Sequence, residues 1–439
     1  MQVVMLPLFA ALLVIPVAAH ASERVIQISV DQTAVTAMTS GTSLSLEQAF
    51  LRAEQQNPDL RRALAQRAAV EGEAADARGL LRNNPELSLE RTRRTVPQAG
   101  LTSDIQREWM VGIAQTVEIA GQQGYRRQAA RQELDALDAS IEEARLRLRG
   151  EVERRFVQVL SLQERAATEQ SSLKTIEDTA LAIKKRVTAG EDSRLDGNLA
   201  QVEAVRARNQ IGSLQEQVIQ ARAELGTILQ LPPGQLPEAI GLLDVPTPDY
   251  TLEKLLEQSA NRPQLRVLDH REQAATHRLS LEHAARYPDV TMGISTAREG
   301  ASDARERITR LTLSLPLPLF RNNASGIGRA STDLTQAQIE RQSAIRDTGA
   351  DINAMWQKLQ SQIVRMNALR LSALPALEEN QRLSLKSLQA GEIGLMQLLL
   401  VNRQVLDGRR DLIDAETELR MTRIALQQAA GWLDTGAPR

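Results

Sequence analysis

The sequence predicts a mainly α-helical chain that also carries four β-strands of membrane-crossing length, arranged as two copies of one unit. Each copy has a short helical opening, a β-hairpin and a long antiparallel helical hairpin. Three observations carry this. The tripeptide Ala-Gly-Glu occurs at Ala189-Gly190-Glu191 and again, about two hundred positions later, at Ala390-Gly391-Glu392. Each occurrence follows roughly sixty to seventy residues of helical periodicity and precedes about forty more. Ahead of each pair of runs lie two stretches of period-two alternation, about ten residues long, the length of a tilted strand crossing a bilayer.

Composition bounds the function. The 439 residues carry a formal net charge of −2, with 25% charged residues, so there is no basic footprint for nucleic acid. Aromatics make up 2%, as in long helices packed through aliphatic side chains. Without cysteine, disulfides, thiolate catalysis, Cys-based metal sites and an acylated cysteine anchor are all excluded. Residues 1–21 read as a signal peptide, with an apolar core Val3–Val17 and Ala19-His20-Ala21 before the cut. No Lys or Arg precedes Arg24, so an uncleaved anchor or a start further upstream is the other reading. Beyond this segment no apolar run is long enough for a transmembrane helix.

The elements follow in order. Residues 22–43 are Thr/Ser-rich and read as an extended segment. The first unit, 44–231, opens with helix Leu44–Arg82, broken at Asn57-Pro58. Its hairpin, about 86–119, puts Leu87 and Leu89 on one face, and Trp109, Val111, Ile113 and Val117 on one face of the next strand. Gly121 starts a proline-free helix to Val187, with a coiled-coil seam running from Leu134 through Leu137, Ile141, Ala144, Leu148, Val152 and Phe156 to Val159. Such a helix is about 100 Å long and requires packing partners along its length. Residues 232–249, rich in proline, read as a surface crossover. The second unit, 250–433, repeats the plan. Helix Tyr250–Arg286 breaks at Arg262-Pro263, and a hairpin at about 289–319 follows, with Val290, Met292 and Ile294, then Leu311, Leu313, Leu315 and Leu317. A turn at Arg321-Asn322-Asn323 leads to a seam from Ile345 through Thr348, Ile352, Met355, Leu359 and Ile363 to Met366. Gly431-Trp432 closes the last helix, and 434–439 is a tail.

Four strands cannot close a barrel, for which about eight is the practical minimum, and lipid does not tolerate open sheet edges. Strands that meet a membrane here must therefore be joined by those of other chains.

The ordered set of motifs resembles the TolC-type outer-membrane efflux family over nearly all of the mature chain. The resemblance is carried by Asn57-Pro58-Asp59-Leu60 and Pro263-Gln264-Leu265, by the junctions Gln115–Gly121 and Leu315–Asn322, and by the two Ala-Gly-Glu turns with Ser193-x-x-Asp196 and Ile393-Gly394-Leu395. It implies a homotrimer whose four strands per chain make a twelve-stranded outer-membrane barrel in a Gram-negative bacterium, above a periplasmic helical tube. The implied function is a passive exit duct with no catalytic site and no cofactor. Its implied partners are a periplasmic adaptor, an inner-membrane resistance-nodulation-division pump driven by protons, and outer-membrane lipid. Glu118-Ile119-Ala120-Gly121-Gln122 with Tyr125-Arg126, and Leu317-Pro318-Leu319-Phe320-Arg321-Asn322-Asn323, are most similar to the heavy-metal cation branch. A duct for organic drugs or other small molecules is the alternative. A periplasmic adaptor or coiled-coil scaffold is the alternative of another class.

Gly190 and Gly391 permit turns where a Cβ would clash, and Ser193 is placed to cap the return helix. By resemblance, Ala189, Gly190, Ser193, Ala390, Gly391 and Leu395 form the tips that meet the adaptor. Glu191, Asp192, Asp196 and Glu392 are the acidic candidates for pore or gate, with Asp196 foremost; ordinary solvated helix ends are the competing reading. His270 and His277 share a helical face but stand about 10 Å apart, too far to chelate one ion, and His283 points elsewhere. No phosphate loop, nucleophile elbow or zinc-protease motif is present, so no enzyme activity is expected.

Overall fold

The structure, a computed structural model, describes residues 43–97, 103–243, 250–300, 304–320 and 322–431. The signal peptide, the extended segment up to residue 42, the end of the crossover, Arg321, Trp432 and the tail lie outside them. The first half comprises β1 (Ser43–Leu44), α1 (Leu46–Gln56), α2 (Pro58–Arg78), β2 (Glu86–Val96), β3 (Asp104–Val117), α3 (Gln122–Ala189) and α4 (Arg194–Ile228). After β4 (Glu238–Ala239) come α5 (Leu252–Ser259), α6 (Pro263–Ala284), β5 (Val290–Glu299), β6 (Glu306–Ser314), α7 (Ala324–Ala368), α8 (Leu374–Gln389) and α9 (Leu395–Ala430).

Local chemistry sets the helix ends. Ser45 and Gln48 form a reciprocal capping box that starts α1. Asn57 ends α1 and caps α2, its side chain accepting from the N–H groups of Asp59 (2.9 Å) and Leu60 (3.2 Å). Pro58 and Pro263 sit in the first turns of α2 and α6, where a missing N–H costs nothing. The proline breaks read from the sequence are therefore helix starts.

The spine is α3, against which α2, α4, α6 and α9 all pack. Its seam buries Leu137, Ile141, Leu148, Val152, Phe156 and Val159, with Leu44, Ala53 and Leu60 from the opening and Leu225 and Leu229 from α4. Ile352, Leu359 and Met366 of α7 join Leu255, Leu419 and Leu426 in a second cluster. Each such side chain contributes about 1.5–3 kcal/mol when fully buried. Ile345, expected on that seam, instead remains 45% exposed. Because α6 and α9 lie on α3, the halves interlock, and the described residues form one unit.

Three further departures have physical causes. The crossover is not wholly at the surface: β4 pairs in parallel with β1, and Ala239 and Leu243 are buried against the α3 seam. The last strand stops at Ser314, leaving Leu315 and Leu317 exposed beyond it, because Pro316 and Pro318 cannot donate to a ladder. The run after β6 is not one α-helix. A π-helical turn, Leu369–Ala373, separates α7 from α8 at Pro375, whose missing N–H interrupts the helical ladder.

One antiparallel sheet of order β2-β3-β5-β6 joins the two hairpins through β3 and β5. Its first joint to the helices is held by Arg126, which donates to both oxygens of Glu118 (3.0 and 2.6 Å). Gly121 turns the chain there at φ 80°, while Gln123 Nε2 donates to the carbonyls of Ala77 and Gly79, both at 2.8 Å. At the second joint Asn323 adopts φ 57° and its Nδ2 donates to the carbonyl of Glu282 at 2.9 Å. The Glu118 side chain is only 7% exposed, so removing Arg126 leaves a nearly buried charge faced by Arg82 alone, at 3.7 Å. Arg126→Met is expected to cost about 3 kcal/mol in reversible denaturation of the detergent-solubilised protein, and an unchanged midpoint would show that the pair is dispensable.

Candidate functional site

Two regions collect the residues with functional potential: the tips of the long helical hairpins and the four-stranded sheet. Both tips follow one backbone recipe. Gly190 (φ 81°) and Gly391 (φ 75°) are left-handed. The Glu191 N–H donates to the Arg186 carbonyl and the Gly190 N–H to that of Val187; Glu392 and Gly391 repeat this with Ser387 and Leu388. Each tip is thus a Schellman stop. No atom lies within 4 Å of a Cβ built on either glycine, so the backbone angle, and not crowding, demands glycine.

Ser193 caps α4, its Oγ accepting from the Asp196 N–H at 3.1 Å and donating to the Asp196 carboxylate at 2.7 Å. In the second tip Gly394 occupies this place without a side-chain bond. Ala189, Gly190, Ser193, Ala390 and Gly391 are exposed. Leu395 is half-buried instead, packed on a small cluster of Ile183, Ala200 and Leu399 that ties the two tips together. The tip acids are largely occupied locally. Arg186 pairs with Asp192 at 2.9 Å and with Glu191 at 3.7 Å, and Glu392 accepts from Ser387 Oγ at 3.0 Å. His270, on α6, lies 2.8 Å from Gln132 Oε1 in a polar contact between helices.

The sheet carries a pattern that strand-by-strand reading missed. Its register aligns Leu87, Ile113, Ile294 and Leu311 in one row across all four strands. The rows beside it contain Leu89, Val111, Thr296 and Thr309 on one side, and Gln115, Met292 and Leu313 on the other. Directly opposed residues share a face, so this is one apolar surface; Leu87, Leu89, Ile294, Leu311 and Leu313 are all more than half exposed. From Val117 to Trp109 the band runs about 27 Å along the strand, near the height of a membrane barrel's apolar belt. The other face carries Glu86, Glu90, Asp104, Glu108, Glu299 and Glu306, with Arg94 and Arg310. Every carboxylate of the sheet lies on that face. Arg94 pairs with Glu108 (3.4 Å) and Arg310 with Glu299 (3.9 Å). The signal was present within β2 and β3, since Glu86, Glu90 and Glu108 alternate with the apolar residues. Among the described residues no helix is long and apolar enough to cross a membrane.

The sequence pattern of the family described as outer membrane efflux protein matches residues 51–229 and 255–432. The chain belongs to this family. It is an outer-membrane efflux channel protein. Among relatives, the cobalt-zinc-cadmium resistance protein CzcC of Cupriavidus metallidurans is 26% identical over 378 residues, covering 83% of this chain and 85% of that one. The pyoverdine export outer membrane protein OpmQ of Pseudomonas putida is 27% identical over 220 residues, 49% of this chain and 46% of that one. Among solved structures, CusC, described in terms of folding and transmembrane channel formation, superposes with a TM-score of 0.72 at 17% identity, covering 88% of this chain and 92% of its own.

Within this efflux-family fold the tip glycines make a direct test. Gly190→Ala and Gly391→Ala each force an L-residue into the left-handed region at roughly 1–2 kcal/mol. Amide exchange around residues 186–193 and 387–394 is expected to accelerate about tenfold. Unchanged exchange would show that these turns do not need glycine.

Proposed function

We propose that three chains close a twelve-stranded barrel in the outer membrane, continued by a periplasmic helical tube, and that this assembly is the exit duct of a tripartite, proton-driven efflux pump exporting heavy-metal cations. The observation that carries the reading is the division of the sheet into an apolar face without carboxylates and a polar face with six. The first face suits lipid. The second suits a water-filled lumen that concentrates cations. Among the described residues the edges β2 and β6 have no further partner strand, and pairing β6 of one chain with β2 of the next satisfies both. Large apolar residues exposed along the helices, among them Leu181, Leu199, Val364 and Leu371, support lateral packing between chains.

The two halves, taken as 44–231 and 250–433, are read as an internal duplication that gives each chain two hairpins for the barrel and two for the tube. A periplasmic adaptor docks on the tips, at Ala189, Gly190, Ser193, Ala390, Gly391 and the exposed part of Leu395. An inner-membrane resistance-nodulation-division pump supplies the energy. Asp196, Glu191, Asp192 and Glu392 form charge rings at the periplasmic end. The relation to CzcC supports metal cargo. The relation to OpmQ keeps export of an organic molecule as the alternative, and the acidic face favours the cation.

Two measurements test this. In planar bilayers the wild-type protein is expected to form cation-selective pores. Combined Glu90→Gln, Glu108→Gln, Glu299→Gln and Glu306→Gln is expected to lower the cation-to-anion permeability ratio several-fold. Asp196→Asn with Glu392→Gln is expected to change conductance less, since those groups are locally bonded. In a strain lacking its own duct, the gene with its pump partners is expected to restore cobalt, zinc or cadmium resistance. Anion-selective pores, or resistance restored only to organic compounds, would overturn the cation reading; a protein soluble without detergent would overturn the duct.

A further inference from the structure

The apolar face of the sheet ends in a block of unneutralised arginine. Beyond the leucine rows the register places Arg91, Trp109, Arg298 and Arg307 in one row, and Arg93 opposite Arg107 in the next. These five arginines are exposed and share the face that carries no carboxylate. Among the described residues none of them forms an ion pair, whereas Arg94, on the other face near the same end, and Arg310, on that face level with Ser295, are each paired with a glutamate. Two pairs of like charges stand directly opposed, Arg93 with Arg107 and Arg298 with Arg307, one in each hairpin. Like charges in that position destabilise a sheet, so an anionic counterpart from outside the chain is the arrangement that relieves them. The block lies at the hairpin-turn end of the sheet, opposite the end where Val117 and Val290 lead to the helices.

We infer that Arg91, Arg93, Arg107, Arg298 and Arg307 form a phosphate-binding rim for the phosphorylated glycolipid of the outer leaflet. This rests on the reading that the apolar face meets lipid. A guanidinium offers a planar fork of donors matched to phosphate oxygens, and five of them over two adjacent rows span more than one phosphate. The apolar rows beneath lie where acyl chains would lie, and Trp109, 40% exposed, sits within the arginine row as an aromatic does at a membrane interface. The acidic face cannot attract the same ligand. The occupant is thus an amphiphile with its phosphates at the rim and its chains on Leu89, Val111 and Leu311. Its role is to seat the barrel at a fixed depth and to neutralise the rim.

The test uses the detergent-purified full-length protein and native mass spectrometry with bis-phosphorylated lipid A, the same lipid stripped of phosphate, and inorganic phosphate. Wild-type protein is expected to retain bis-phosphorylated lipid A and to bind the stripped lipid at least about tenfold more weakly. Combined Arg93→Gln, Arg107→Gln, Arg298→Gln and Arg307→Gln is expected to lose retention by a similar factor, while Arg94→Gln with Arg310→Gln keeps it. Equal retention of the two lipids by wild-type protein would overturn the proposal without reliance on any variant. So would release of the lipid by millimolar inorganic phosphate, which would make the site one for free phosphate. Protein that still requires detergent but shows no phosphate preference would sink the rim alone; protein that requires none would sink the lipid-face reading beneath it.

Discussion

The two open edges of the four-stranded sheet are the constraint to which the rest of the chain answers. Strands β2 and β6 each present a row of backbone N–H and C=O groups with no partner strand among the described residues. In water such edges are tolerable. In hydrocarbon each unsatisfied group costs several kcal/mol, so the sheet must be completed by other chains before it can be stable in lipid. In the proposed trimer that requirement is met by a ring of sheets, which places the attached helices side by side as well. The exposed leucines and valines along the helices would be covered by those neighbours in the proposed trimer.

The helical part solves a different problem. A helix the length of α3 gains little from its own hydrogen bonding and is held by packing from α2, α4, α6 and α9. The joint between sheet and helix must then be stiff, or the strand register would be lost where the strands pass into the helices. The Glu118–Arg126 pair and the glutamine bonds around Gly121 supply that stiffness with directional contacts, where a hydrophobic contact alone would slide. In the second half the joint uses Asn323, and the helix beyond it carries a π-helical turn before Pro375. The two halves share an order of elements, but their joints and long helices differ in detail.

Much of this was legible in the sequence because it depends on local rules. A left-handed glycine ending a helix is written as Ala-Gly-Glu, and both tips adopt that turn. Parity within a strand is written as alternation, so the apolar residues named for each strand, up to Leu313, fall on one face. What failed needed more than one segment. Leu315 and Leu317 alternate as a strand would, but the prolines between them remove the donors that pairing needs. Leu243 reads as crossover until the seam of α3 is seen to lack a cover there. The pairing of Glu191 and Asp192 depended on where the Arg186 side chain reaches. The acidic face was half-visible: Glu86 and Glu90 alternate with leucines in plain sight, but rows across strands exist only once β3 is placed beside β5.

The segregation of charge on the sheet is sharper than a membrane requires. Lipid demands only that one face be apolar; it does not demand that six carboxylates collect on the other face or that five arginines remain on the first. With two arginines against six carboxylates, the polar face has a net negative field at each chain, and around a closed ring those fields add toward the axis. A passive wall with such a field raises the local concentration of cations and lowers that of anions without binding either tightly, which is what a conduit needs, since a strong site would hold its cargo. The tips need not repeat this, and their acids are largely tied to Arg186, Ser193 and Ser387. In the proposed pump, selective binding and transport energy then fall to partners upstream, and the duct contributes a field and a seal.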